Sequence, residues 1–159
     1  MKLYCVRHGE AQPVDVDPQC GLSVTGKEDV TAVAQQLHSQ QLYIPHILHS
    51  SKLRAVQTAQ IFAQALGVEQ VTETETLLDV DAEVQPLLEM IHSWNQDTML
   101  VGHMPFMEKL VSALVIGDEN NYPIVNFLPG TVICLEFNEQ RRWVINWLLR
   151  PSIVRALRR

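Results

Sequence analysis

Apolar and polar positions follow two spacings along the chain, one typical of strands and one typical of helices. Short apolar runs predict buried strands at residues 2–6, 43–49 and 98–103, and residues 69–75 favour an edge strand. Apolar residues three and four positions apart predict four helices between and after these strands. The apolar faces of the helices are Val30, Val33, Ala34 and Leu37; Ala55, Ala59, Phe62 and Leu66; Val84, Leu87, Leu88, Ile91 and Trp94; and Phe106, Leu110, Val111 and Leu114.

Helix boundary signals support this division. Ser50 and Ser51 favour a helix start, Gly67 favours a helix stop, and Pro105 favours the opening of the fourth helix. Beyond Gly117 the chain is loop-like, and the segments TVICLEF and RRWVINWLL then predict a hairpin around residues 138–140.

This alternation of strands and helices predicts an α/β fold. We expect a three-layer α/β/α sandwich with a mostly parallel sheet, to which the terminal hairpin adds an antiparallel element. The chain shows neither an internal repeat nor a linker, so we expect a single domain over residues 1–159.

Composition narrows the class of protein. The net charge of −6 disfavours a general nucleic-acid binder. No apolar run approaches the ~18 residues that span a bilayer, and the three cysteines form no CxxC pair. We therefore expect a cytoplasmic protein in a reduced compartment, with no membrane or nucleic-acid partner, and a monomer. Residues 150–159 hold four arginines and no acid, which we interpret as a solvated helix end.

Candidate catalytic side chains follow three of the predicted strands. Arg7 and His8 end the first strand, Arg54 lies just after the second, and His103 follows Gly102 directly after the apolar run at 98–101. Ligands of such folds bind at the carboxyl edge of the sheet, so we expect these four side chains to converge on one pocket.

Two arginines and two histidines together favour phosphoryl transfer. Arginine binds phosphate oxygens bidentately and stays charged. One histidine can attack phosphorus as neutral imidazole, while the other, held protonated, can neutralise charge on the phosphoryl oxygens. Helix starts after Ser51 and Met104 would add backbone donors, and Gly9 would let the backbone approach the ligand. The spacing does not decide which histidine attacks.

Four sequence blocks, VRHGEA, LSVTGKE, HSSKLRAVQTA and LVGHMP, carry a family resemblance. In order and spacing they resemble the histidine phosphatase superfamily, or phosphoglycerate mutase-like family, and the short chain is most similar to its SixA-type phosphohistidine phosphatases. The resemblance implies that His8 is the nucleophile, that Arg7 and Arg54 clamp the phosphoryl group, and that His103 completes the pocket. It implies a phosphoglycerate mutase-like fold, with Arg7, Gly9, Ser51 and Arg54 as the substrate-binding residues.

Larger members of that superfamily carry an acidic residue that protonates an alcohol leaving group. The corresponding interval here offers Asp79, Asp81 and Glu83, which we interpret as loop and helix-start charges. Imidazole, with a pKa of about 6.5, leaves far more readily than an alkoxide, so a missing acid favours phosphohistidine as substrate. The expected partner is a phosphorylated protein such as a histidine-containing phosphotransfer domain. Two alternatives stay open: a small-monoester phosphatase with Asp79 or Asp81 as proton donor, and a non-catalytic phosphate-binding module.

Other signals are set aside. GLSVTGKE fits the start of a P-loop, but Glu28 stands where a Mg²⁺-binding hydroxyl is needed and no buried strand precedes it. No cysteine begins a C-x5-R phosphatase loop. We interpret the four other histidines as structural or surface groups and expect neither a metal nor another cofactor; these are His38, His46, His49 and His92.

Overall fold

The structure, a computed structural model, describes all residues from 1 to 159. It contains six strands and five helices in nearly strict alternation up to the terminal hairpin. In chain order these are β1 (Lys2–Arg7), α1 (Val24–Ser39), β2 (His46–Ser50), α2 (Leu53–Leu66), β3 (Gln70–Thr74), α3 (Val84–Ser93), β4 (Thr98–Gly102), α4 (Phe106–Ile116), β5 (Val132–Phe137), β6 (Trp143–Leu149) and α5 (Pro151–Leu157). None of the helices is both long enough and apolar enough to cross a membrane.

All six strands form one sheet in the order β3-β2-β4-β1-β5-β6. Strands β3, β2, β4 and β1 pair in parallel with their neighbours. Strand β5 pairs antiparallel with both β1 and β6. Successive side chains of a strand point to opposite faces, so β1 supplies Tyr4 and Val6 to one apolar core and Leu3 and Cys5 to the other. The first core packs against α1, α2 and α5, and the second against α3 and α4. The predicted α/β sandwich with a mostly parallel sheet is confirmed.

The carboxyl ends of β1, β2 and β4 meet at one edge of the sheet. Arg7 lies in register with Gly102, and the His8 amide donates to the Gly102 carbonyl at 3.1 Å. The Gly130 amide, just before β5, lies 3.1 Å from the carbonyl oxygens of both Arg7 and His8. The end of β1 is therefore held on both sides by backbone hydrogen bonds.

Two glycines allow the segment after His8 to pack closely against α1. A Cβ added at Gly26 would lie 2.1 Å from the Glu10 carbonyl oxygen, and one added at Gly9 would lie 2.7 Å from Val30. We predicted that Gly9 lets the backbone approach a ligand. The structure gives another reason for this glycine, because its bare face packs against Val30 and Leu22.

The start of α2 differs from the prediction. The N-cap is Lys52, with no side-chain cap, rather than Ser50 or Ser51. Ser50 is the last residue of β2 and its hydroxyl contacts His103, as described below. Gly67 ends α2 in the left-handed conformation, as predicted.

The basic tail is largely exposed, as predicted for a solvated helix end, and several of its arginines also have partners in the fold. Arg155 forms an ion pair with Asp29 of α1, and Arg158 donates to the Ala32 carbonyl. Arg150 donates to the Asn126 carbonyl at 2.8 Å. Three of the four tail arginines therefore attach α5 and its approach to the rest of the fold while remaining at the surface.

Candidate active site

His8 is held in a defined tautomer directly after β1. Its Nδ1 lies 2.7 Å from the Gly9 carbonyl oxygen, which can only accept a hydrogen bond, so Nδ1 carries the proton. Nε2 is therefore the unprotonated nitrogen, and it accepts a hydrogen bond from Arg54 Nε at 3.3 Å. This arrangement leaves a nucleophilic lone pair on Nε2, beside a guanidinium.

Arg54 reaches His8 from the first turn of α2. The helix is tied to the chain after His8 through Thr58, one turn later. The Thr58 hydroxyl donates to the Arg54 carbonyl at 2.7 Å and accepts from the Gly9 amide at 3.1 Å. Thr58 is fully buried, so α2 and the His8–Gly9 segment have a fixed relative position.

Arg7 approaches the same place from the last position of β1. Its Nη1 donates to the Phe127 carbonyl at 2.8 Å, while its buried Nε has no hydrogen-bond partner in the protein. Burial lowers the pKa of Arg7, and the charge of Glu108 opposes that shift. At ordinary pH the guanidinium stays charged.

His103 completes the group from the end of β4. Its ring centroid lies 5.0 Å from that of His8, and its Nε2 lies 2.7 Å from the Ser50 hydroxyl. That hydroxyl also accepts from the Lys52 amide at 3.3 Å, so its proton is available to His103 Nε2. Nδ1 of His103 is buried without a partner in the protein, and it carries the proton when Nε2 accepts from the Ser50 hydroxyl.

The protein environment favours neutral imidazoles. Burial is the main cause that lowers the pKa of His8 to about 4, with the charges of Arg54 and Arg7 acting in the same direction. Burial, His8 and Arg54 lower the pKa of His103 to about 3. A neutral His8 suits nucleophilic attack. A protonated His103, as expected from sequence, requires the negative charge of a bound phosphoryl group to raise its pKa.

These shifts predict an acid-sensitive fold. Both histidines have folded pKa values below the ordinary 6.5, so the unfolded chain binds more protons between that pH and about 4. Their contribution to the free energy of unfolding is fully present above pH 6.5 and falls as the pH drops toward 4. Urea unfolding from pH 7 to pH 4 should show a loss of several kcal/mol, with a smaller pH dependence in His8→Asn. An unchanged pH dependence in that variant would contradict the burial of a neutral His8.

The rim of the pocket carries charges of both signs. Among the smaller influences on His103, the charge of Asp79 raises its pKa and that of Lys52 lowers it. Asp81 and Ser51 are exposed, and the Ser51 side chain makes no hydrogen bond. Substrate binding by Ser51 stays a prediction.

The site is built to accept an oxyanion. Arg54 donates to the lone pair of His8 Nε2, the charge of Arg7 also acts on the His8 ring, and Arg7 Nε and His103 Nδ1 are buried without protein partners. Buried donors are nearly always paired, so these two favour a ligand that supplies acceptor oxygens. No group of three or more His, Cys, Asp or Glu side chains is placed to hold a metal ion.

The family model of the histidine phosphatase superfamily (branch 1) matches residues 3–84, just over half of the chain. This chain belongs to the histidine phosphatase superfamily. The matched residues include Arg7, His8 and Arg54, whereas His103 lies beyond them. No curated protein matches the sequence.

Solved structures of superfamily phosphatases share the fold. The protein histidine phosphatase SixA complexed with tungstate is 21% identical, with a TM-score of 0.83 over 97% of this chain and 99% of that one. A mycobacterial glucosyl-3-phosphoglycerate phosphatase with VO3 is 17% identical, with a TM-score of 0.68 over 92% and 97%. A phosphoserine phosphatase mutant from Entamoeba histolytica with phosphoserine is 15% identical, with a TM-score of 0.66 over 92% and 95%. The predicted phosphoglycerate mutase-like fold is confirmed.

Sequence reasoning placed Arg7, His8, Arg54 and His103 at one site, and the structure brings them together. It missed Ser50 as the partner of His103 and Thr58 as the link between Arg54 and Gly9. Thr58 had a usable signal, because it lies four residues after Arg54 on the same helix face. Ser50 had none, since its partner is 53 residues away.

Proposed function

We propose that this superfamily member is a phosphohistidine phosphatase that removes the phosphoryl group from a histidine of a protein substrate through a covalent intermediate on His8. The observation that carries the proposal is the tautomer of His8, with Nδ1 paired to the Gly9 carbonyl and Nε2 unprotonated, its lone pair accepting from Arg54 Nε at 3.3 Å.

In the first step, Nε2 of His8 attacks phosphorus and the bond from phosphorus to the substrate nitrogen breaks. The electron pair of that bond goes to the leaving imidazole. Arg7 and Arg54 hold the transferring oxygens, and His103 Nδ1 donates to one of them. The phosphorylated His8 ring is cationic, and its Nδ1–H stays on the Gly9 carbonyl.

In the second step, water attacks phosphorus and His8 leaves as neutral imidazole. The Nδ1 proton stays in place throughout, so this departure needs no general acid. The same argument covers a substrate phosphohistidine whose distal ring nitrogen is protonated, because the P–N electron pair then goes to a neutral imidazole that keeps that proton. Both steps therefore break a P–N bond with neutral imidazole as the leaving group.

The expected substrate is a protein such as a histidine-containing phosphotransfer domain, and the activity requires no metal. We predict that kcat/KM for a phosphohistidine protein exceeds that for sugar and nucleotide phosphates by at least about 100-fold, because the alkoxide leaving groups receive no proton. A phosphate-release assay over this panel, with and without a chelator, measures the difference. A preference for any ester, or loss of activity with the chelator, would contradict the proposal.

A second candidate is a phosphatase for small monoesters, with Asp79 as proton donor. Its support is the charge of Asp79 acting on His103, together with the shared fold of the glucosyl-3-phosphoglycerate and phosphoserine phosphatases. In that case Asp79→Asn would abolish ester hydrolysis while sparing an aryl phosphate with a good leaving group.

A further inference from the structure

A groove of about 270 Å³ is lined by Glu108, Pro123, Ile124, Val125 and Asn126. We propose that this groove receives the leaving group of the substrate, and that Glu108 selects a leaving group that carries a positive charge, such as an N-protonated imidazole ring. The inference rests on the proposed function and names the part of the chain that would distinguish phosphohistidine from phosphate esters.

The groove adjoins the phosphate clamp. The residue after Asn126 is Phe127, whose carbonyl accepts from Arg7 Nη1 at 2.8 Å. From the other side, Glu108 lies in the first turn of α4, which begins three residues after His103. The charges of Glu108 and Arg7 each shift the pKa of the other, although the two side chains form no ion pair.

The far wall of the groove is fixed in place. The buried Ser112 hydroxyl lies 2.6 Å from the Asp118 carbonyl oxygen and 2.9 Å from that of Asn121. Lys109 Nζ lies 5.9 Å from the Tyr122 ring centroid. At the other end, Arg150 holds the Asn126 carbonyl at 2.8 Å. Residues 118–126 are therefore held against α4 and the residue before α5, and this wall of the groove has a fixed position in the fold.

The negative charge of Glu108 is unfavourable in a site that binds only anions. It is half-buried, yet its carboxylate makes no hydrogen bond and no ion pair in the protein. Burial raises its pKa, and Arg7 opposes the shift. A carboxylate beside a phosphate clamp repels the phosphoryl group and weakens binding of a plain ester. A cation in the leaving group would offset that repulsion.

A phosphohistidine ring can supply that cation. Protonation of the nitrogen that does not bear phosphorus gives an imidazolium ring, which a nearby carboxylate stabilises. When His8 Nε2 bonds to phosphorus and the P–N bond breaks, the electron pair neutralises the ring and the proton stays on the distal nitrogen. Apolar Pro123, Ile124 and Val125 suit the faces of that ring.

The test compares two probes with different leaving groups. Phosphoimidazole loses a ring that can be protonated, whereas p-nitrophenyl phosphate loses an anion. Glu108→Gln should lower kcat/KM for phosphoimidazole by about ten-fold and leave that for p-nitrophenyl phosphate unchanged or higher. Glu139→Gln, in the hairpin turn at the opposite edge of the sheet, makes the same change in net charge and should affect neither probe.

The outcomes separate the two proposals. An equal loss on both probes in Glu108→Gln would mean that Glu108 acts through Arg7 or the fold, and would overturn selection of the leaving group. No change on phosphoimidazole would overturn it as well. If the unaltered protein hydrolysed only the aryl ester, the proposed function itself would fail. Hydrolysis of phosphoimidazole by the unaltered protein thus tests the proposed function. The change in the ratio of kcat/KM for the two probes in Glu108→Gln tests the role of the groove.

Discussion

Replacement of His8 by asparagine should lower turnover of a phosphohistidine substrate by about 10⁴-fold or more. The asparagine amide can still donate to the Gly9 carbonyl, which is the acceptor that holds His8 Nδ1 at 2.7 Å. The variant therefore keeps the local hydrogen bond and loses only the nucleophilic Nε2. Steady-state phosphate release measures the loss.

The matched control is His38→Asn, because His38 is an exposed histidine on α1 and lies outside the site. It should retain full activity. Retention of more than a few per cent of turnover in folded His8→Asn would show that another group attacks phosphorus, or that water attacks directly.

The second large effect is expected for Arg54→Lys. Lysine keeps a positive charge but loses the planar fork and the Nε–H that donates to His8 Nε2 at 3.3 Å. Both the clamp and the orientation of the nucleophile are affected, so kcat/KM should fall by about 10²- to 10³-fold. Inhibition by inorganic phosphate should weaken in parallel, because the same guanidinium binds its oxygens.

Arg142→Lys, in the exposed hairpin turn, is the control for the same chemical change. It should alter neither quantity. If Arg54→Lys left phosphate inhibition and kcat/KM within about two-fold of the unaltered protein, Arg54 would not belong to the clamp.

Most of the fold could be predicted from the sequence because its elements have strong periodicity. Strand β4 is a continuous buried run, and the apolar positions of α3 recur at helical spacing. The predicted start of α2 was wrong because a cap preference takes no account of a tertiary partner that competes for the same side chain. Here Ser50 belongs to β2 and its hydroxyl contacts His103, so Lys52 takes the cap position without a side-chain bond.

The sequence could predict those site residues whose position follows from strand order alone. Arg7 and His103 end parallel strands, and such strand ends share one edge of the sheet. The supporting contacts were not predictable, because they join positions distant in sequence. Glu108 shows the limit most clearly. Its sequence position suggests an ordinary helix-start acid, and only the packed fold shows that its charge acts on Arg7 and that it lines a groove.

The central claim is that His8 Nε2 carries the phosphoryl group during turnover. Rapid quenching of the unaltered protein with ³²P-labelled phosphoimidazole, followed by peptide mapping, measures this directly. We expect label on the peptide that contains His8, lost in acid and retained in alkali, as for a P–N bond. Label on His103 instead, or no protein-bound label while phosphate is released, would contradict the account.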